Sequence, residues 1–412
     1  MNIYIFIVLL LIAAYPYIIY PVIGYVIVCI KRLFSSDNKH DYSTEYKTIT
    51  LLIAAYNEEL FINEKITNTK ELDYPKDKLK VIFVTDGSDD KTPEIVSAHK
   101  EFIHMHLNER RGKIHAMHRG VLQADSEIVV FCDANTYLNK DSLKHISNAF
   151  ANHKVGCVSG EKRVLSDEKD SAAPAGEGFY WRFESFLKKI DSELYTAVGA
   201  AGELFAIRRE LYEEIPNDTI LDDFLITISI VKKGYKINYE PRAIASEYGS
   251  VSVKEEMKRK YRIAAGCFQV LFRNLWLINI FKYPVVAFQF ISHKLMRWLT
   301  TPLIIAILIP YNIALAIIYP ENMLIITLLI LQGLFYLFSI IGYFIQHLNL
   351  KNKYIFIPYY FTMANIAQFV GLWRFIKGNT SVKWERAERI KKNKIINHND
   401  KHRTTKHDRR SD

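Results

Sequence analysis

The sequence predicts an α/β domain, a mostly parallel sheet with helices on both faces, held between hydrophobic spans. Three observations lead there. From about residue 49 to residue 159, short β-branched runs alternate with helical patterns, which argues for strands joined by crossover helices. Two runs are followed by an acid, Asp86 after 79–85 and Asp133 after 128–132. Open α/β sheets bind ligands at the carboxyl ends of their strands. Uncharged stretches long enough to cross about 30 Å of hydrocarbon flank this polar middle on both sides.

In chain order, strands are expected at 49–54, 79–85, 103–106, 128–132 and 155–159, and helices at 58–70, 92–100, 113–124 and 142–151. The segment 3–30 carries no charge and ends at Lys31-Arg32. It is long enough to span, and it lacks the basic start and small-residue cleavage site of a removable signal peptide. The cations after it place the next domain in the cytoplasm. Two further spans are expected at 299–319 and 323–346. The turn between them, Pro320-Glu321-Asn322, faces outside, and Lys351 and Lys353 lie inside. The segment 354–376 contains Pro358, Asn365, Gln368 and Arg374 and is expected to be re-entrant or interfacial, which keeps the tail inside. The stretch 268–294 mixes aromatics with Arg273, Lys282 and Lys294 and reads as amphipathic and interfacial. The chain thus divides into a span (1–30), a cytosolic α/β domain (31–267), the interfacial stretch (268–294), a membrane region (295–376) and a basic cytoplasmic tail (377–412). An integral protein of the cell membrane is expected.

The 412 residues carry a net charge of +10. The tail 377–412 has twelve Lys and Arg against five Asp and Glu, a net +7, so the polar middle is not strongly basic. That argues against nucleic acid as a partner. A basic tail beside a span suits anionic lipid, and a solvated, unstructured tail is compatible with it. Cys29, Cys132, Cys157 and Cys267 have no metal-ligand spacing and read as buried free thiols.

Several polar motifs stand out. Tyr56-Asn57-Glu58 follows the first strand, where a polar turn can meet the base and ribose of a nucleotide; Glu58 and Glu59 also suit a helix start. In Asp86-Gly87-Ser88-Asp89-Asp90, Asp89 or Asp90 caps the helix starting near Thr92, leaving Asp86 for a ligand. Arg111-Gly112-Lys113 precedes a helix, and amides and cations at a helix start favour phosphate. Asp133-Ala134-Asn135 offers oxygen ligands for a divalent cation held against a diphosphate. Gly199-Ala200-Ala201-Gly202 reads as a tight loop that lets substrate approach backbone. Asp222-Asp223 opens a helix over 224–231.

In this order, with Ala55 before Tyr56, the motifs resemble those of family 2 glycosyltransferases over about 49–269. They are most similar to the membrane-bound processive branch, which includes poly-N-acetylglucosamine, cellulose and hyaluronan synthases. The resemblance implies a GT-A (Rossmann-like) fold, a nucleotide-sugar donor, Mg2+ or Mn2+, and inversion at the anomeric carbon. It implies that Ala55, Tyr56, Glu58, Asp86, Lys113, Asp133 and Arg262 bind the donor. Asp133 and Asn135 hold the metal. Asp223 is the general base, and Gly199, Gly202 and Asp222 lie near the acceptor.

Two departures matter. Asn135 stands where the family has a second acid, so metal affinity is expected to be weaker. Arg259-Lys260-Tyr261-Arg262-Ile263 occupies the place of the branch's Gln-x-x-Arg-Trp. Arg262 matches the arginine, but Ile263 removes an aromatic face for the acceptor, which Tyr180, Trp181 or Trp384 could replace. A basic helix face against lipid headgroups is the alternative for 254–262. The resemblance implies transfer from a UDP-hexose or UDP-N-acetylhexosamine onto a growing exopolysaccharide. The alternatives are single transfer to a lipid-linked or glycan acceptor, and a binding protein that retains the fold. The expected partners are the donor, the acceptor, the bilayer and accessory membrane or export subunits.

Overall fold

The computed structural model describes residues 2–34, 45–165, 172–250, 252–345 and 353–378. Eight strands form one sheet: β1 Ile49–Ala55, β2 Leu79–Asp86, β3 Ile103–Leu107, β4 Ile128–Asp133, β5 Tyr137–Leu138, β6 Val155–Leu165, β7 Leu204–Arg208 and β8 Lys236–Tyr248. The helices around it are α1 Ile3–Ala14, α2 Tyr20–Phe34, α3 Glu59–Lys70, α4 Thr92–Ser97, α5 Lys113–Gln123, α6 Ser142–Ala149, α7 Ala172–Leu194, α8 Asp222–Lys232, α9 Val253–Arg273, α10 Pro284–Phe290, α11 Thr301–Ile318, α12 Met323–Ile345 and α13 Lys353–Ile376.

The strand order is β3-β2-β1-β4-β7-β6-β8-β5. β1, β2, β3 and β4 pair in parallel. β1 and β4 are apolar along nearly their whole length because both of their faces are covered. One face packs around Leu51, Ile53, Phe83 and Val130, the other around Leu52, Ile82, Val129 and Phe131.

The expectation of a mostly parallel sheet holds: β6 and β8 also pair in parallel, and among the described strands β7 and β5 alone run against the rest. β7 runs antiparallel to both β4 and β6, and β5 antiparallel to β8, so the sheet is mixed. The antiparallel β7 has a direct consequence for the site. Its register sets Leu204 opposite Cys132, so the loop leading into β7, residues 199–202, arrives beside Asp133 at the end of β4.

Among the described residues, four helices are long and apolar enough to cross a membrane: Ile3–Phe34, Pro284–Ile318, Met323–Ile345 and Ile355–Ile376. The first half of the second is not apolar inside. Gln289, Ser292, His293, Lys294 and Arg297 are buried there; Ser292 meets the Tyr15 hydroxyl, and the other four meet Asp191 and Glu184 of α7. α2 docks on the same helix through Tyr20 to Asp191 and Arg32 to Glu193. Residues 268–294 are accordingly shared out between the end of α9, a 3-10 turn at Leu275–Ile278 and the start of the long helix.

The segment expected to be re-entrant or interfacial is one unbroken helix, α13, with Pro358 inside it. It runs beside α9 in the same direction. Lys260 lies 4.6 Å from the Tyr360 ring. A Cβ at Gly371 would fall 2.4 Å from that of Ala264. Phe272 stacks on Phe375 at 5.4 Å.

Candidate active site

A cleft of about 350 Å³ opens at the carboxyl ends of β1, β2 and β4 and runs between α7, α8 and α9. Ala55 and Tyr56 line its outer part, and the Arg110 guanidinium stacks 3.8 Å above the Tyr56 ring. Asp86 is 4% exposed. Its Oδ2 accepts the backbone N–H of Arg111 at 2.9 Å and of Gly112 at 2.6 Å, and Arg119 Nη2 lies 3.2 Å from Oδ1. Asp86 therefore shapes the basic turn as well as facing the cleft. Asp90, not Asp89, caps: its carboxylate accepts the N–H of Thr92 and of Glu59.

Lys113 opens α5 and reaches into the middle of the cleft. Its Nζ is 2.8 Å from Asp133 Oδ1 and 3.6 Å from Asp222 Oδ2. Burial pulls the ammonium pKa down, but the two carboxylates more than reverse this, and the net direction is up. Burial raises the pKa of Asp133 against the pull of Lys113. Asp223 begins α8 beside Asp222 and lines the cleft. Burial first, and then the charge of Asp222, push its carboxyl up to about 7. A carboxylate with that pKa is matched to taking a proton near neutral pH.

The 199–202 loop is built for this proximity. Gly199 has φ +84° and would drive a Cβ into the Phe224 ring at 2.3 Å. At Gly202 a Cβ would sit 3.2 Å from Asp223 Oδ2. Arg262 of α9 also lines the cleft and makes no hydrogen bond or ion pair among the described residues, while burial lowers its pKa.

The structure thus brings together Ala55, Tyr56, Asp86, Lys113, Asp133, Gly202, Asp222, Asp223 and Arg262. Glu58 is not with them: it is 2% exposed, lies outside the cleft lining, and its N–H donates to Thr92 Oγ1. Asn135 is also outside the lining, with its Oδ1 buried and without a hydrogen-bond partner. Trp384 falls outside the described residues. Among those residues, no three His, Cys, Asp or Glu side chains are grouped to hold a metal.

A family model described as "Glycosyl transferase family 2" matches residues 50–216. Those residues are a family 2 glycosyltransferase domain. The chain is similar to the poly-beta-1,6-N-acetyl-D-glucosamine synthase of Staphylococcus aureus (strain COL), at 27% identity over 269 residues, 62% of this chain and 64% of the relative. Its similarity to the synthase of that name from Staphylococcus epidermidis is 26% over 255 residues, 60% of each. The match therefore spans less than two thirds of these relatives' length. A solved mannosyltransferase from Pyrobaculum calidifontis, in complex with GDP-Man and Mn2+, superposes with a TM-score of 0.66 at 23% identity, covering 90% of this chain and 98% of that one. This likeness shows the fold: a GT-A domain flanked by helices able to span a membrane.

The lining of the cleft extends beyond the motif residues. Arg110 stacks on Tyr56, and the inner end is lined by Tyr180, Trp181, Glu184, Lys188, Lys294 and Trp298. These come from α7 and from the helix that continues from α10. The basic stretch of α9 also departs from the lipid-facing alternative. Arg259 is bonded to Glu177 and Glu256, and Lys260 sits over Tyr180 and Tyr360. That face is turned into the protein.

Proposed function

We propose that the cleft transfers a sugar, with inversion, from a UDP-sugar to the end of a growing glycan. The observation that carries this is the convergence of Asp86, Lys113, Asp133, Asp223 and Arg262 on one cleft. The donor's diphosphate lies by Lys113 and Arg262, and its nucleoside by Tyr56 and Asp86. Asp223 takes the proton from the acceptor hydroxyl. The acceptor oxygen attacks the anomeric carbon from the side opposite the diphosphate, and the bonding pair leaves on the diphosphate oxygen. Lys113 and Arg262 stabilise the charge that develops there. The relatives' names support N-acetylglucosamine as the sugar and a polysaccharide as the product.

The family implies Mg2+ or Mn2+, and the solved mannosyltransferase was obtained with Mn2+. The residues fit a cation with few protein ligands. Asp133, which lines the cleft, would hold it through its carboxylate, whereas Asn135 lies outside the lining. When bound it would supply positive charge to the leaving diphosphate.

A topology follows from the packing. Lys31 and Arg32 end the first span and bind Glu193 of α7, which supports a cytoplasmic catalytic domain. α13 lies along α9, a wall of the cleft, which supports a membrane-surface position for α13 and a cytoplasmic tail. Ile263 lines the cleft without an aromatic face, and this favours single transfer as the second reading.

The test uses the full chain in lipid nanodiscs with Mg2+ or Mn2+, labelled UDP-N-acetylglucosamine, UDP-glucose or GDP-mannose, and a β-1,6-linked N-acetylglucosamine trimer. Extension of the trimer by several residues from the UDP donor is expected. Addition of one sugar only, whatever the time, supports the second reading. No transfer from any donor rejects both.

A further inference from the structure

The inner end of the cleft holds buried donors with nothing to donate to. Lys188 is 4% exposed and lines the cleft. Among the described residues it makes no hydrogen bond and no ion pair, and its nearest recorded partner is the Trp181 ring, 5.7 Å away. Trp181 lines the same wall, and its Nε1–H is buried without an acceptor. Buried donors left unsatisfied are costly. Two of them in one wall call for a ligand that brings oxygen acceptors.

The charge around them narrows the ligand. Lys294 and Arg297 are both bonded to Glu184, the latter at 2.8 Å, so each already has an acceptor. Lys188 has none among the described residues, and one ammonium beside an indole N–H suits hydroxyls or an amide carbonyl better than a phosphate dianion. The lining also carries an aromatic cluster. Trp298 is 9% exposed, lines the cleft, and packs edge-on against Phe224 at 5.8 Å and Phe290 at 5.7 Å. Phe224 directly follows Asp223, so the indole is held one residue from the carboxylate with the raised pKa. Ile263 packs against the same cluster. An aromatic ring and N–H donors lining one cleft are the pairing that receives a pyranose: its C–H face lies on the ring, and its oxygens meet the donors.

We propose that Trp298, Trp181 and Lys188 form the seat for the acceptor's terminal sugar, an uncharged or N-acetylated pyranose, with Trp298 supplying the aromatic face that Ile263 lacks. This rests on the transferase reading above, and binding measurements separate the two.

The experiment measures equilibrium binding of the fluorescently labelled N-acetylglucosamine trimer to full-length protein in nanodiscs, alongside UDP binding and steady-state transfer. Lys188→Met and Trp298→Phe are each expected to weaken trimer binding and raise the acceptor KM by about tenfold, the scale of one lost stacking or hydrogen-bonding contact. UDP affinity should stay within about twofold. Trp298→Ala should lose more, and Ile263→Trp in that background should restore trimer binding, which a merely structural role for Trp298 would not produce. Unchanged trimer affinity in both single variants overturns the proposal, as does an equal loss of UDP affinity, which would put these residues at the donor. Transfer to polyprenyl phosphate with no trimer binding by the wild type overturns it in favour of a lipid acceptor. If the trimer binds in a Lys188-dependent way but no donor is used, the seat stands and the transferase reading fails.

Discussion

Gly202 and Asp223 stand in contact across the cleft: a Cβ at position 202 would lie 3.2 Å from Asp223 Oδ2. The antiparallel β7 makes this possible, because its register delivers the 199–202 loop to the end of β4. Space beside the carboxylate is thus kept open by a missing side chain.

Gly202→Ala is expected to crowd Asp223 and lower kcat by about tenfold while UDP affinity is retained, read by steady-state kinetics and UDP titration. Gly199→Ala should behave differently. It meets both the positive φ and the Phe224 ring, and should destabilise the fold by about 1–3 kcal/mol, read by thermal unfolding of the detergent-solubilised protein. Gly202→Ala with wild-type kcat would mean that Asp223 is not the reacting group.

Asp223→Asn keeps the shape and removes the base. Transfer should fall by about 10²-fold or more with UDP binding intact. The pH profile gives an independent reading. Burial and Asp222 hold the Asp223 pKa near 7, and the base must be ionised, so kcat/KM should rise with pH and level off above about 7. Asp222→Asn removes the repelling charge and should move that limb to lower pH. A limb that stays in place, or moves up, contradicts the assignment.

Chelation should abolish transfer, and Mg2+ or Mn2+ should restore it. Asp133→Ala should be inactive even with added cation. Full activity in excess chelator rules out the metal-dependent mechanism.

Topology is tested by labelling. Lys377→Cys, in a chain with Cys29 replaced by Ser, should react with a membrane-impermeant maleimide only after cells are opened. Labelling of intact cells would show that α13 crosses the bilayer.

Much of the glycosyltransferase domain was legible because its strands and motifs are local. Strand ends at Asp86 and Asp133, the helix starts at Lys113 and Asp222, and the spans at both ends each follow from a short run of residue types. Four positions went another way, for tertiary reasons. Glu58 follows the right motif but its turn folds under α4. Asn135 follows Asp133 yet lies off the cleft. Arg259 and Lys260 look lipid-facing until Glu177 and Glu256, distant or hidden on the helix face, neutralise them.

Periodicity and span length were enough to predict an α/β domain between hydrophobic spans, because those signals act over a few residues, and the resemblance of the ordered motifs pointed to Asp223. The direction of β7, the unbroken course of α13, and the meeting of Trp181, Lys188 and Trp298 came only from packing. Each depends on contacts between segments far apart in sequence, and no local pattern encodes which distant side chain will share a wall.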